Sequence, residues 1–229
     1  MGIHGVALLL KILIMNKIAI YGGGGFGREV KMLIDQINNY QRKYEFIGYF
    51  DDVVPKGSII EGSDFLGGIN ELNSFSEKLL LVVSIADPKI KLKIIESINN
   101  SNISFPILIH PSCIIGDFNI RIGEGSIICA STIITVNVEI GNHVILNLAC
   151  TVGHDTRIGS YSSFMPAVNI SGEVVIGDQV YCGTGVKIIN QITIGEGTIV
   201  GAGALVHKDL PPHCTAVGFP AKPIKYHNE

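Results

Sequence analysis

Residues 122–158 read IGEGSIICASTIITVNVEIGNHVILNLACTVGHDTRI, and the spacing of their apolar side chains decides the fold. Counting in sixes, the register passes through Ile122, Ile128, Ile134, Ile140, Leu146, Val152 and Ile158. It runs on without a slip through Phe164, Ile170, Ile176, Cys182, Ile188, Ile194 and Val200 to Val206. Four residues after each stands a second inward candidate, from Ser126 and Thr132 to Ala204 and Leu210, always small, β-branched or aliphatic. The dipeptide Ile-Gly recurs at Ile122, Ile140, Ile158, Ile176 and Ile194, every eighteen residues.

A period of six fits neither a helix nor the simple alternation of a two-layer sheet. It is the signature of a hexapeptide β-helix, in which one short strand and one corner make each unit. Three units close a triangular coil, so residues eighteen apart stack about one strand spacing (~4.8 Å) along the axis. Glycines that follow inward residues, such as Gly141, Gly159 and Gly177, relieve crowding where the backbone turns. The rod is expected to end at Pro211-Pro212, which cannot continue a hydrogen-bonded ladder. Residues Cys214 to Phe219 are then expected to fold back over the last coil and shield its open edge.

Composition narrows the classes. A chain of 229 residues with net charge −3 and an isoelectric point near 6.2 lacks the clustered lysine and arginine of a nucleic-acid surface. Five cysteines, without a CxxC, make neither a disulfide framework nor a zinc site and point to a reducing cytoplasm. Cys150 and Cys182 fall at inward positions and read as core residues. Val6 to Ile14 is apolar but broken by Lys11 and lacks a cleavage site, so residues 1–14 read as a disordered extension rather than a signal peptide or a membrane span.

The first part of the chain has a different grammar. Lys17 to Tyr21 (KIAIY) reads as a buried parallel strand, followed by Gly22-Gly23-Gly24-Gly25-Phe26-Gly27 and a helix from Arg28 to Asn38. Strand, glycine turn and helix together aim backbone N–H groups at a phosphate. Phe46 to Phe50 is a second strand ending at Asp51 and Asp52, where acidic residues meet a ribose in dinucleotide folds. Leu79 to Ile85 is a further strand ending at Ala86-Asp87, and Lys89 to Ile98 a helix. There is room for little more than one mononucleotide half, so residues 15–108 read as a Rossmann-like nucleotide-sugar domain and 109–229 as the β-helix with a C-terminal cap.

Within the repeat, Asn147, His154 and Asp155 break the pattern inside a few residues. His154 and Asp155 fall at a corner, outside the core, and the residue one coil above His154 is Gly172, which leaves a gap for a small acyl group. A solvated corner histidine beside a turn-forming aspartate is the plain alternative. A zinc site needs a second histidine about five residues away, and Gly159 stands there, so no metal is expected.

The segments YGGGGFGREV, YFDD, IHPS, NLACTVGHD and VGFPAK, in that order, resemble the sialic acid O-acetyltransferase-type branch of the hexapeptide-repeat acyltransferases. That branch includes N-acetyltransferases of nucleotide-linked amino sugars in bacterial surface glycan synthesis, lipopolysaccharide among them. The resemblance covers nearly all of Met15 to Lys222. It implies a left-handed parallel β-helix, a homotrimer with active sites between subunits, and acetyl-CoA as co-substrate. It gives His154 the role of general base, Asp155 that of raising its basicity, and Asn147 a place lining the site. Gly24, Gly25, Phe26, Asp51, Asp52 and Ala86 would meet the nucleotide sugar. Ser163, Gly172, Thr184 and Ala202 would face acetyl-CoA, with Lys222 on a phosphate. The chain departs from the family pattern at Phe26, where several members carry histidine, at Ser163, where many do, and at Ala86, usually glycine. An N-acetyltransferase on a 4-amino-4,6-dideoxy type sugar is the first reading, O-acetylation of a sialic acid or other sugar hydroxyl the second. A non-catalytic scaffold is the alternative of another class.

Overall fold

The computed structural model describes residues 15–227, and the extension expected over residues 1–14 lies outside them. The chain opens with β1 (Asn16–Tyr21), α1 (Gly25–Tyr40), β2 (Tyr44–Phe50), β3 (Ile59–Ile60), β4 (Ser63–Gly67), α2 (Ile69–Asn73), β5 (Leu79–Val83), α3 (Pro88–Ser97) and β6 (Ile103–Ser104). These strands form one sheet in the order β3-β4-β2-β1-β5-β6, with β1 parallel to both β2 and β5. Ile18 to Tyr21 of β1 are buried, because the sheet is covered on both faces; a continuous apolar run is what such a strand requires. α1 turns Val30, Leu33 and Ile34 onto it. The hairpin β3–β4 and the short α2 have no counterpart in the sequence pattern, since segments of two to five residues carry no readable period.

At β7 (Leu108–Ile109) the chain enters a triangular prism. Its strands stack in three parallel sheets, each rung pairing with the one eighteen residues on, as in Ile127↔Ile145, Ile133↔Thr151 and Glu139↔Arg157. The six-residue register holds: from Ile128 to Val206 every member is buried, and Ile122, at the open lower end, packs partly buried against the same core. The second series, Ser126 to Leu210, is buried throughout. Each buried aliphatic contributes roughly 1.5–3 kcal/mol by leaving water. Inward hydroxyls are tolerated because they donate to backbone carbonyls at the corners: Ser126 to Gly141 (3.1 Å), Thr156 to Ser171 (3.1 Å) and Ser162 to Gly177 (3.1 Å). At Gly159 an added Cβ would stand 2.5 Å from the Asp178 nitrogen, so coil-to-coil approach is what demands glycine there.

The outward residues give the three faces different fates. On the first face, Ile127 and Ile145 are buried with Leu108 and Cys129 against the N-terminal domain. The third carries Arg121, Glu139 and Arg157, with an exposed Arg121–Glu139 ion pair of 3.2 Å. The second presents Ile133, Thr151, Asn169, Lys187 and Leu205. The ladder does not stop at Pro211-Pro212: Cys214–Val217 pairs in parallel with Ile199–Val200 and adds a rung. The fold-back is made instead by Lys222–Tyr226, antiparallel to that rung. The prolines sit at a corner, where no ladder bond is lost.

Candidate active site

His154 and Asp155 occupy the corner between the second and third faces, just after the strand Thr151–Val152. Asp155 has φ 57°, a left-handed conformation that aspartate and asparagine tolerate better than most residues. The turn brings its Oδ2 within 2.8 Å of His154 Nδ1. Its other oxygen, Oδ1, accepts a hydrogen bond from Asn137 Nδ2, and Asn137 Oδ1 accepts one from Asn119 Nδ2. The Asn137 amide and then the imidazole hold the Asp155 carboxyl below its usual range. A carboxylate only accepts, so Nδ1 carries the hydrogen and Nε2 keeps the lone pair.

Nε2 lies against Gly172. An added Cβ on that glycine would come within 2.4 Å of it, so the gap expected above His154 is filled by the imidazole itself. The Gly172 N–H donates to no group among the described residues. The imidazole Nε2 therefore packs against Gly172 on a corner where the histidine side chain is 56% exposed.

Asn147 does not join them within one chain. It lies at the corner between the first and second faces, 5% exposed, and its Oδ1 accepts from the Leu148 N–H at 2.7 Å. Thr184 and Ala202 are exposed along that same edge, and Lys222 is exposed on the last strand. Ser163 departs from expectation. It sits on the first face with no exposure, and its hydroxyl accepts from Lys91 Nζ at 2.9 Å, so nothing can reach it from outside the chain. Lys91, on α3, was missed; it is 1% exposed and burial pushes its amine down to about 7. Its neighbour Ile90 is 52% exposed, the inverse of what side-chain polarity suggests.

The glycine loop lies at the C-terminal end of β1, where the sheet order reverses between β1 and β5, the usual crevice for nucleotides in such sheets. Its glycines serve two purposes. A Cβ on Gly27 would fall 2.0 Å from the Gly22 carbonyl, and one on Gly23 would fall 2.3 Å from the Phe65 ring; these two are fixed by packing. A Cβ on Gly24 or Gly25 would meet nothing among the described residues. Phe26 is half-buried behind them. Asp51 and Asp52 each hold two hydrogen bonds within the chain and keep acceptor capacity beyond them. Asp51 accepts from the Gly23 and Val53 N–H groups (2.9 Å each), Asp52 from the Ile69 N–H (2.9 Å) and the Tyr21 hydroxyl (2.5 Å). Ser84, also missed, ties β5 to the loop by donating to Gly22 O at 2.8 Å. Ala86 borders a cleft of about 800 Å³ shared with Asp87, Lys89, Tyr181, Ile199 and Tyr226. Because the N-terminal domain covers the first face, this crevice and His154 lie on different sides of one chain.

Cys150 and Cys182 are buried in the prism core, and burial pushes the Cys150 thiol up to about 12, which removes it as a nucleophile. No helix among the described residues is long and apolar enough to cross a membrane.

Residues 17–98 match the PglD N-terminal domain family. The GDP-perosamine N-acetyltransferase of Escherichia coli O157:H7 is 33% identical over 123 residues, which are 54% of this chain and 55% of that protein; the chain thus spans about half the length of this curated relative. Solved structures align over more. WeeI from Acinetobacter baumannii AYE is 31% identical, with a TM-score of 0.83 over 92% of this chain and 100% of its own. PerB from Caulobacter crescentus, in complex with CoA and GDP-perosamine, is 30% identical, with a TM-score of 0.81 over 93% of this chain and 99% of its own.

Proposed function

The chain belongs to the nucleotide-amino-sugar N-acetyltransferase branch of the hexapeptide-repeat acyltransferases, and from that premise we propose that it acetylates the amine of a nucleotide-linked amino sugar with acetyl-CoA. The observation that carries the reading is the His154 Nδ1–Asp155 bond, which in the neutral ring puts the lone pair on Nε2, packed against Gly172.

In the reaction the sugar amine attacks the thioester carbonyl and His154 Nε2 takes a proton from its nitrogen. Asp155 orients the ring and stabilises the imidazolium that forms. The Gly172 N–H donates to the oxyanion of the tetrahedral intermediate. Collapse breaks the C–S bond, and the departing thiolate takes the proton back from the imidazolium.

A homotrimer completes the site. The second face and its edges expose Ile114, Ile133, Val136, Leu148 and Ile189, an apolar strip unlike the charged third face. Packing this face around a threefold axis sets the His154 edge of one copy against the Asn147, Thr184 and Ala202 edge of the next. The nucleotide of the second copy, held over Gly24 and Gly25, then delivers its sugar to His154 of the first. Acetyl-CoA lies along the groove between the two prisms, with Lys222 near its phosphates. Free cysteines and soluble co-substrates fit a cytoplasmic enzyme making precursors of a surface glycan such as lipopolysaccharide.

The test is release of CoA thiol from acetyl-CoA with GDP-perosamine as acceptor. His154→Ala should lower kcat ~10²–10⁴-fold, the range for a general base. Undiminished turnover by that variant would remove the assignment.

A further inference from the structure

Three residues on one edge of the prism, Asn119, Asn137 and Asp155, stand eighteen apart, all with φ between 50° and 57°, and are joined side chain to side chain. The bonding has one direction. Asp155 Oδ1 can only accept, so Asn137 must offer its NH₂; its carbonyl then faces down and must meet the NH₂ of Asn119. Asp155 is half-exposed, and a lone carboxylate on a surface corner would turn freely. Here both oxygens are occupied, one by Asn137 and one by His154.

We propose that Asn137, itself held by Asn119, is a positioning residue for the acyl transfer: its amide locks the Asp155 carboxylate so that Oδ2 stays on His154 Nδ1 and Nε2 stays free to take a proton. This rests on His154 being the general base. The lowered range of the Asp155 carboxyl, with the Asn137 amide as its largest cause, agrees with the geometry. Other charged groups near the carboxylate are Arg121, Glu139 and Arg157, which share its recess, and Glu173 one coil above, whose Oε2 accepts from Gln191 Nε2 at 3.1 Å. A ladder that merely stacks coils would bond Asn119 to Asn137 equally well, so the test must read the chemistry and not the fold.

Two variants separate these roles. Asn137→Gly removes the amide at a φ that glycine adopts without strain. Asn137→Asp keeps the shape but sets a second carboxylate against Asp155, which favours protonation there. The assay is kcat against pH with acetyl-CoA and GDP-perosamine, with His154→Ala alongside. We expect Asn137→Gly to lose about tenfold in kcat, the scale of one charge-assisted hydrogen bond, at unchanged KM for acetyl-CoA. Asn137→Asp should move the acid limb of the profile up by about one pH unit. The ¹⁵N shifts of the His154 imidazole read the protonated nitrogen directly, with no acceptor present: a dominant Nδ1–H tautomer in the parent and a mixture in Asn137→Asp. Wild-type kcat, pH profile and tautomer in both variants, beside an inactive His154→Ala, overturn the inference and leave the general base standing. An active His154→Ala overturns both.

Discussion

Gly24 and Gly27 are three residues apart in one loop and answer to different forces. Gly27 is fixed by the Gly22 carbonyl, 2.0 Å from where a Cβ would lie, whereas none of the described residues stands near a Cβ on Gly24. Gly27→Ala should therefore cost about 1–3 kcal/mol of stability as an overpacked contact, read by chemical denaturation. Gly24→Ala should melt like the parent but bind GDP at least about tenfold more weakly by calorimetry, because its methyl group takes the place of a phosphate against the backbone. Equal GDP affinity would remove the loop from the substrate site. Gly172 belongs with them. Gly172→Ala pushes on Nε2 and should lower kcat about 10²-fold through misplacement of the imidazole, with KM for the nucleotide sugar little changed.

At the scale of elements, α3 is bolted to the prism by a lysine. Lys91 Nζ bonds the Ser163 hydroxyl at 2.9 Å and no carboxylate among the described residues; burial, and then the Lys91 charge, push the His143 imidazole down to about 4. His143 stacks flat on Tyr161 at 5.6 Å and meets the edge of Phe105 at 4.8 Å, a packed corner rather than a catalytic one. The folded amine, near 7, lies below an unfolded lysine of about 10.4. Below pH ~7 both states are protonated and the burial cost is complete; between ~7 and ~10 the unfolded state binds the extra proton, and stability rises with pH. Lys91→Met should thus be more stable than the parent near pH 6.5, an advantage shrinking by about 1.4 kcal/mol per pH unit toward pH 9. Paired urea melts across that range give the slope, and a constant difference would show that the amine stays charged when buried.

The proposed trimer is a matter for the whole molecule. One chain places His154 at the edge between its second and third faces and its nucleotide crevice against the first, so under the proposed function each site would be shared by two copies. A His154→Ala chain and a Gly24→Ala chain, each impaired alone when the nucleotide sugar is below its KM, should recover activity when co-expressed. Random assembly leaves about a quarter of the interfaces with both halves intact, provided each site is shared between subunits. No recovery in mixed trimers shown by mass to contain both chains would return the site to a single chain.

How much could be read beforehand follows the range of each interaction. The strict six-residue period is a local consequence of strands and corners of fixed length, so the core from Ile128 to Val206 and the corner placement of His154 and Asp155 were legible in the chain itself. So was the strand, glycine loop and helix of the first domain. Contacts between residues remote in sequence were not. The Lys91–Ser163 bond spans 72 residues and inverts the polarity of its helix, and the bonds of Asp51 to the Gly23 N–H and of Asp52 to the Ile69 N–H likewise join separate segments. Even the prolines misled, because a missing N–H matters only where a ladder bond falls, and that depends on how one coil lies upon another. The repeat, the inward residues and the pairing of an imidazole with a neighbouring carboxylate follow from order along the chain alone; which asparagine holds that carboxylate, which glycine the ring covers and which face meets the N-terminal domain follow from how the coils stack, because those contacts join residues eighteen or more apart.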